Sequence, residues 1–165
     1  MVESGEWLRE LPAATRLIFQ GDRLARAAAA REWAPGFSTT ACRATEDGDR
    51  ASLWLGPDEF LLLAPASTDY AALRSALRNS PHSLVDISHR QIGLEVSGPH
   101  AAERLNGGCA LDLDESQFPV GMCTRTLFAK ADVVIWRTGR ETFHLEVWRS
   151  FLPYTIEMLR EIARC

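Results

Sequence analysis

At 165 residues, 46% hydrophobic and 24% charged, the chain has the make-up of one globular domain long enough to bury a real core. Its formal charge of −4 supplies none of the cationic field that captures nucleic acid. No apolar run approaches the ~20 residues of a membrane span, and the start, Met1 to Trp7, lacks the basic and apolar regions of a signal peptide. No nucleic acid and no membrane is therefore expected as a partner.

In chain order, residues 1–14 read as a polar N-terminal arm. It is irregular, but Trp7, Leu8 and Leu11 would pack on the domain or on a partner rather than face solvent. Thr15 to Gln20 has strand character and Gly21-Asp22 closes it. Asp22 is a good N-cap for the alanine-rich helix expected over Arg23 to Glu32. Ser38 to Thr45 reads as a strand, Glu46 to Asp49 as a hairpin loop, and Ala51 to Leu55 as the return. Phe60 to Ala64 is a continuous apolar run of strand length. Ser67 or Thr68 can cap a helix over Tyr70 to Arg78.

Ser83 to Ile87 is a connecting strand. Ile92, Leu94 and Val96 then alternate with Gly93, Glu95 and Ser97, the period of a strand with one buried face. Gly98-Pro99 turns the chain into a short helix, His100 to Leu105, and Asn106-Gly107-Gly108 stops it, glycine entering the left-handed conformation without penalty. Leu111 to Gly121 is an acidic loop. Strands follow at Cys123 to Ala129, Val133 to Arg137 and Phe143 to Val147, and a last helix opens at Arg149-Ser150.

These elements fall into two copies of one order: strand, helix, three-stranded meander, helix. The first copy spans 15–78 and the second 91–164. Gly21-Asp22 answers to Gly98-Pro99, and Trp54-Leu55-Gly56 to Trp136-Arg137-Thr138. The expected fold is α+β: a single domain, 15–165, built of two pseudo-repeated strand-helix-three-strand-helix units packed on a shared core.

Motifs that could carry chemistry are sparse. Asp86, Ser88 and His89 bring an acid, a hydroxyl and an imidazole together, but on a strand His89 points away from the other two, and no Gly-x-Ser-x-Gly elbow is present. Gly98-Pro99 and Asn106-Gly107-Gly108 match neither phosphate-binding spacing. His82, His89, His100 and His144 lie on separate elements, so no metal face is expected. The four cysteines form no Cys-x-x-Cys pair, which suits reduced thiols in a cytoplasm. Cys123 beside Arg125 could be an activated thiol, although a structural cysteine is the commoner case. Tryptophan and arginine, by contrast, are the residues of interface hot spots, and they come in pairs at Trp136-Arg137 and Trp148-Arg149.

Several longer motifs carry a family resemblance: Leu55-Gly56-Pro57-Asp58-Glu59-Phe60-Leu61-Leu62, Val85-Asp86-Ile87-Ser88-His89-Arg90, Ser97-Gly98-Pro99, and Leu105 to Leu113 with its Asn-Gly-Gly-Cys centre. Phe118-Pro119, Thr124-Arg125-Thr126-Leu127 and Trp148-Arg149-Ser150-Phe151 extend it. From about residue 50 onward the chain resembles the gamma subunit of bacterial heterotetrameric sarcosine oxidase. The resemblance implies an assembly with alpha, beta and delta subunits that oxidatively demethylates sarcosine to glycine. That assembly produces hydrogen peroxide and passes the one-carbon unit to tetrahydrofolate. It implies FAD, FMN and NAD on the partner subunits, with no cofactor on this chain. It also implies a fold related to the glycine-cleavage T-protein and other folate-binding domains.

The Lys-Gly-Cys-Tyr-x-Gly-Gln-Glu signature of the iron–sulfur maintenance branch is absent, and no acid matches the T-protein's catalytic aspartate. No catalytic residue is therefore carried over. The candidate interface residues are His89, Arg90, Arg125, Trp136, Arg137, Trp148 and Arg149. A free-standing folate-binding or one-carbon transfer domain is the alternative, with Asp86 or Glu95 facing the pterin. An isolated chain could also pair with itself as a homodimer.

Overall fold

The computed structural model describes residues 7–164. In chain order its elements are β1 (Leu8–Glu10), β2 (Ala14–Gly21), α1 (Arg23–Ala29), β3 (Ala44–Asp47), β4 (Arg50–Gly56), β5 (Glu59–Pro65), α2 (Ala71–Ala76) and β6 (His82–Asp86). They continue with β7 (Gln91–Ser97), α3 (Ala101–Asn106), β8 (Cys123–Phe128), β9 (Ala131–Gly139), β10 (Thr142–Trp148), a 3₁₀ turn (Arg149–Phe151) and α4 (Leu152–Ile162). The chain divides into two compact units. One holds Ala13–Ser88; the other holds the residues up to Pro12 and those from His89 onward.

The doubled order is present. β2-α1-β3-β4-β5-α2 in one unit is matched by β7-α3-β8-β9-β10-α4 in the other. Each unit carries a five-stranded antiparallel sheet, β3-β4-β5-β2-β6 and β1-β7-β10-β9-β8. Both meanders bulge at the same place, at Leu55 on β4 and at Thr138 on β9. That register corrects the sequence alignment by one residue. Trp54 faces Phe60 and Arg137 faces Phe143, so Trp54 answers to Arg137 and Gly56 to Gly139. A one-residue slip moves every side chain to the other face, so matching the two tryptophans compared residues from opposite faces.

In the first unit, Leu17, Phe19, Phe60 and Leu62 from one sheet face enclose Ala25 and Ala29 of α1 and Leu73 of α2, with Trp33 and Leu77. Trp33 is buried and its Nε1 donates to Ser52 Oγ at 3.0 Å. Asp22 caps α1 as expected, accepting from the Leu24 and Ala25 amides at 2.9 Å each. Neither Ser67 nor Thr68 caps α2: its N-cap position is Tyr70, which makes no side-chain capping bond. Asp69 accepts from the Ala71 amide at 2.8 Å, while Thr68 Oγ1 turns back to the Pro65 carbonyl. The strand expected over Ser38 to Thr45 starts only at Ala44. Ser38 Oγ bonds both the amide and the carbonyl of Thr40, and Cys42 takes φ 56, which breaks an extended run.

In the second unit, Ile92, Leu94, Val96, Phe143, Leu145 and Val147 line the face that packs on Leu105 of α3 and Leu159 of α4. The arm is not irregular throughout: Leu8–Glu10 pairs with β7 in the register Leu8↔Val96, Arg9↔Glu95. Trp7 and Leu8 pack on this core, as expected for arm residues too apolar to face solvent. The helix stop after Asn106 is also different from the expectation. Gly107 is right-handed, with φ −62 and ψ −21, and the glycines are there for space. A Cβ at Gly107 would lie 2.5 Å from Ile162 Cγ2, and one at Gly108 2.5 Å from the Phe128 ring.

Candidate partner-docking surface

Four of the expected interface residues converge at one corner of the second unit. β7 begins where β10 ends, with Trp148 opposite Gln91, so the residues just before and just after those strands become neighbours. The Arg149 amide donates to the Arg90 carbonyl at 2.8 Å, and Arg149 Nε donates to the His89 carbonyl at 3.0 Å. The Arg90 guanidinium lies over the Trp148 ring, 4.3 Å from its centroid.

Alternation along β10 puts Phe143, Leu145 and Val147 in the core and sends Trp148 to the opposite side. The 3₁₀ turn then presents Phe151, whose ring meets Tyr154 edge-on at 6.4 Å. Pro153 falls in the first turn of α4, where its missing N–H costs nothing. Trp148 is 42% exposed and Phe151 40%. The corner thus carries two ordered guanidinium groups beside exposed aromatic rings.

Phe151 and Tyr154 were missed by sequence reasoning, because on a helical wheel they belong to the apolar stripe of the last helix. The signal that could have found them is Trp148-Arg149-Ser150-Phe151 at a strand–helix junction.

The remaining candidates lie elsewhere. Arg125 is exposed on β8 and lines an open groove of about 520 Å³ with Gly108, Thr126, Leu127 and Asp132. Trp136 and Arg137 are inside the unit, 6% and 4% exposed. Trp136 stacks on His144 at 5.7 Å. Arg137 is a staple: Nη1 donates to the Leu113 and Phe118 carbonyls at 3.0 and 2.9 Å, and Nε to the Arg140 carbonyl at 3.1 Å. Its guanidinium also lies 4.8 Å from the Phe143 centroid. From the other side, Asn106 Nδ2 donates to the Leu111 carbonyl at 2.6 Å and Oδ1 accepts from the Leu113 amide. Together they pin the loop between α3 and β8. The asparagine of the Asn-Gly-Gly motif is therefore a loop anchor.

The polar groups weighed for chemistry are engaged within the fold. Asp86 accepts from Tyr70 Oη at 2.9 Å, from Ser88 Oγ at 2.6 Å and from the Ser88 amide at 2.9 Å. The bond to Asp86 raises the Tyr70 phenol above its ordinary value. Arg9 grips Glu95 with two bonds, at 2.7 and 3.0 Å, and that hydrogen bonding holds the Glu95 carboxyl below its usual range. His144 Nε2 lies 2.7 Å from Oε1 of the buried Glu146. Cys123 is fully buried, the setting of a structural thiol. Among the described residues no group of three or more His, Cys, Asp and Glu side chains is placed to hold a metal ion. No helix of the described residues is long and apolar enough to cross a membrane.

The model of the sarcosine oxidase gamma subunit family matches residues 20–164. The sarcosine oxidase subunit gamma of Corynebacterium sp. strain U-96 is 35% identical over 158 residues, 92% of this chain and 76% of the relative. That of Corynebacterium sp. strain P-1 is 39% identical over 110 residues, 66% of this chain; there the match spans about half of the relative's length, 54%.

Among solved structures, a chain of the heterotetrameric sarcosine oxidase from Corynebacterium sp. U-96, in complex with pyrrole 2-carboxylate, superposes with a TM-score of 0.90 at 31% identity. The superposition covers 98% of this chain and 86% of that one. The glycine cleavage system aminomethyltransferase T from Bartonella henselae aligns with a TM-score of 0.69 at 15% identity, over 92% of this chain and 44% of that one, and shares the fold. The chain belongs to the sarcosine oxidase gamma subunit family.

Proposed function

We propose that this chain is a structural subunit of a heterotetrameric sarcosine oxidase, holding together a flavoprotein assembly that oxidatively demethylates sarcosine to glycine. In this reading its partners are the alpha, beta and delta subunits in the cytoplasm. FAD, FMN and NAD reside on those partners, tetrahydrofolate is the co-substrate of the assembly, and no residue of this chain takes a catalytic role. The observation that carries the reading is the close superposition on a chain of a heterotetrameric sarcosine oxidase over nearly the whole length.

The alternative, a free-standing folate-binding or one-carbon transfer domain, draws only on the shared T-protein fold. The two carboxylates considered for a pterin already hold partners within the fold. Asp86 is occupied by Tyr70 and Ser88, and Glu95 by the fork of Arg9.

A tagged pull-down of the full chain from its native host tests the reading, with mass spectrometry and a visible absorbance spectrum of the eluate. Larger flavoprotein chains and a flavin spectrum are expected. A colourless eluate containing this chain alone would overturn it.

A further inference from the structure

We propose that the corner formed by Arg90, Trp148, Arg149 and Phe151 is the docking face for a partner chain that presents a carboxylate beside an apolar side chain. The proposal rests on the subunit reading above and names the surface and the chemistry through which the subunit would be held.

Charge is the first argument. Arg9, Arg140, Arg160 and Arg164 each pair with a glutamate of this chain. Among the described residues no acid pairs with Arg90 or Arg149. Arg90 rests on the Trp148 ring, and Arg149 spends its Nε on the His89 carbonyl. Other surface arginines, Arg31 among them, also pair with no acid of the described residues. What is particular to the corner is that Arg90 and Arg149 lie together there, two cations side by side beside exposed rings, complementary to an acid from outside.

Order is the second. The stack and the Nε bond fix both guanidinium groups in advance, so binding need not freeze two flexible side chains. Apolar area is the third: Trp148 and Phe151 stand roughly two-fifths exposed beside the cations. Aromatic rings ringed by arginine are the composition of binding hot spots. A second copy of this chain is the wrong occupant. A twofold contact with its axis at the corner would bring the arginines of the two copies together, and like charges face to face are destabilising.

The test uses the intact assembly, purified through a tag on this chain, with the amount of flavoprotein retained at graded dilution as the readout. The R90E/R149E double variant should hold its partners about 100-fold more weakly, the size expected when a preorganised charged hot spot is reversed. R31E makes the same kind of change at an exposed arginine of the other unit and should retain partners like the wild type. Circular dichroism and thermal melting confirm that each variant is folded. If the double variant fails to fold, W148A and R90Q carry the test, each expected to weaken retention roughly tenfold.

Wild-type retention by a folded R90E/R149E chain would overturn the proposal, as would equal release by R31E. If the wild-type chain itself recovers no flavoprotein, the subunit reading falls and the docking face with it. If the wild type recovers flavoprotein and the corner variants recover as much, the docking face alone is refuted.

Discussion

Replacing Arg137 with alanine separates two roles that the sequence cannot tell apart. Arg137 is 4% exposed, and its guanidinium bonds the carbonyls of Leu113 and Phe118 on the loop between α3 and β8, and those of Gly139 and Arg140 at the β9–β10 turn. Hydrogen bonds from a charged donor contribute about 1.5–3 kcal/mol each, and a carbonyl left buried without a partner costs about 1–3 kcal/mol. The truncation also removes the contact with the Phe143 ring and leaves a void where the side chain lay.

The loop can relax toward water, which offsets part of this, so R137A is expected to cost about 3–5 kcal/mol, the sum of a few lost charge-assisted bonds and stranded carbonyls less that relaxation. R137K keeps the charge but loses the fork geometry and should fall between R137A and the wild type. Urea denaturation of the full chain, followed by tryptophan fluorescence, measures both. A loss below about 1 kcal/mol would refute the staple, because it would mean that these carbonyls find water without cost. Unchanged stability with weakened partner retention would instead return Arg137 to the interface.

Two further substitutions probe the fold. G108A builds a Cβ 2.5 Å from the Phe128 ring and should destabilise by about 1–3 kcal/mol through overpacking, read from the same urea titration; a neutral result would show that Phe128 can move aside. The Arg9–Glu95 pair should make the attachment of β1 dependent on pH. The Glu95 pKa is depressed in the folded chain, so its contribution is present above the ordinary glutamate pKa of about 4.3 and is lost as the pH falls through the lower folded value. Hydrogen exchange at the Leu11 amide, which donates to the Gly93 carbonyl, should therefore quicken in R9A relative to wild type at neutral pH. The difference should vanish in strong acid, and a difference that persists there would rule out the ion pair as its cause.

Local sequence rules reached far into this protein, for identifiable reasons. The alternation of Ile92, Leu94 and Val96 specifies β7 because a strand with one buried face has period two, and Asp22 caps α1 because its carboxylate reaches the first free amides. The repeated element order was legible for the same reason, since each element announces itself within ten or so residues. Even the corner at Trp148 was half legible, through a tryptophan–arginine pair next to a helix start.

What the sequence could not decide is whatever depends on residues distant along the chain. Whether Trp136-Arg137 or Trp148-Arg149 faces solvent follows from where each pair sits in the sheet. Trp136 and Arg137 lie within β9, a strand flanked by β8 and β10, whereas Trp148 ends β10 and Arg149 follows it into the turn. The one-residue bulge that makes Arg137, not Trp136, the counterpart of Trp54 is set by strand pairing. The meeting of Arg90 with Trp148 and Arg149 likewise joins residues some sixty positions apart through the register of β7 against β10. Capping and alternation are short-range and written in neighbouring residues; register and burial are settled only when the whole sheet closes, so the tertiary structure alone decided that Arg137 is buried as a staple while Arg90 and Arg149 stand exposed at the corner.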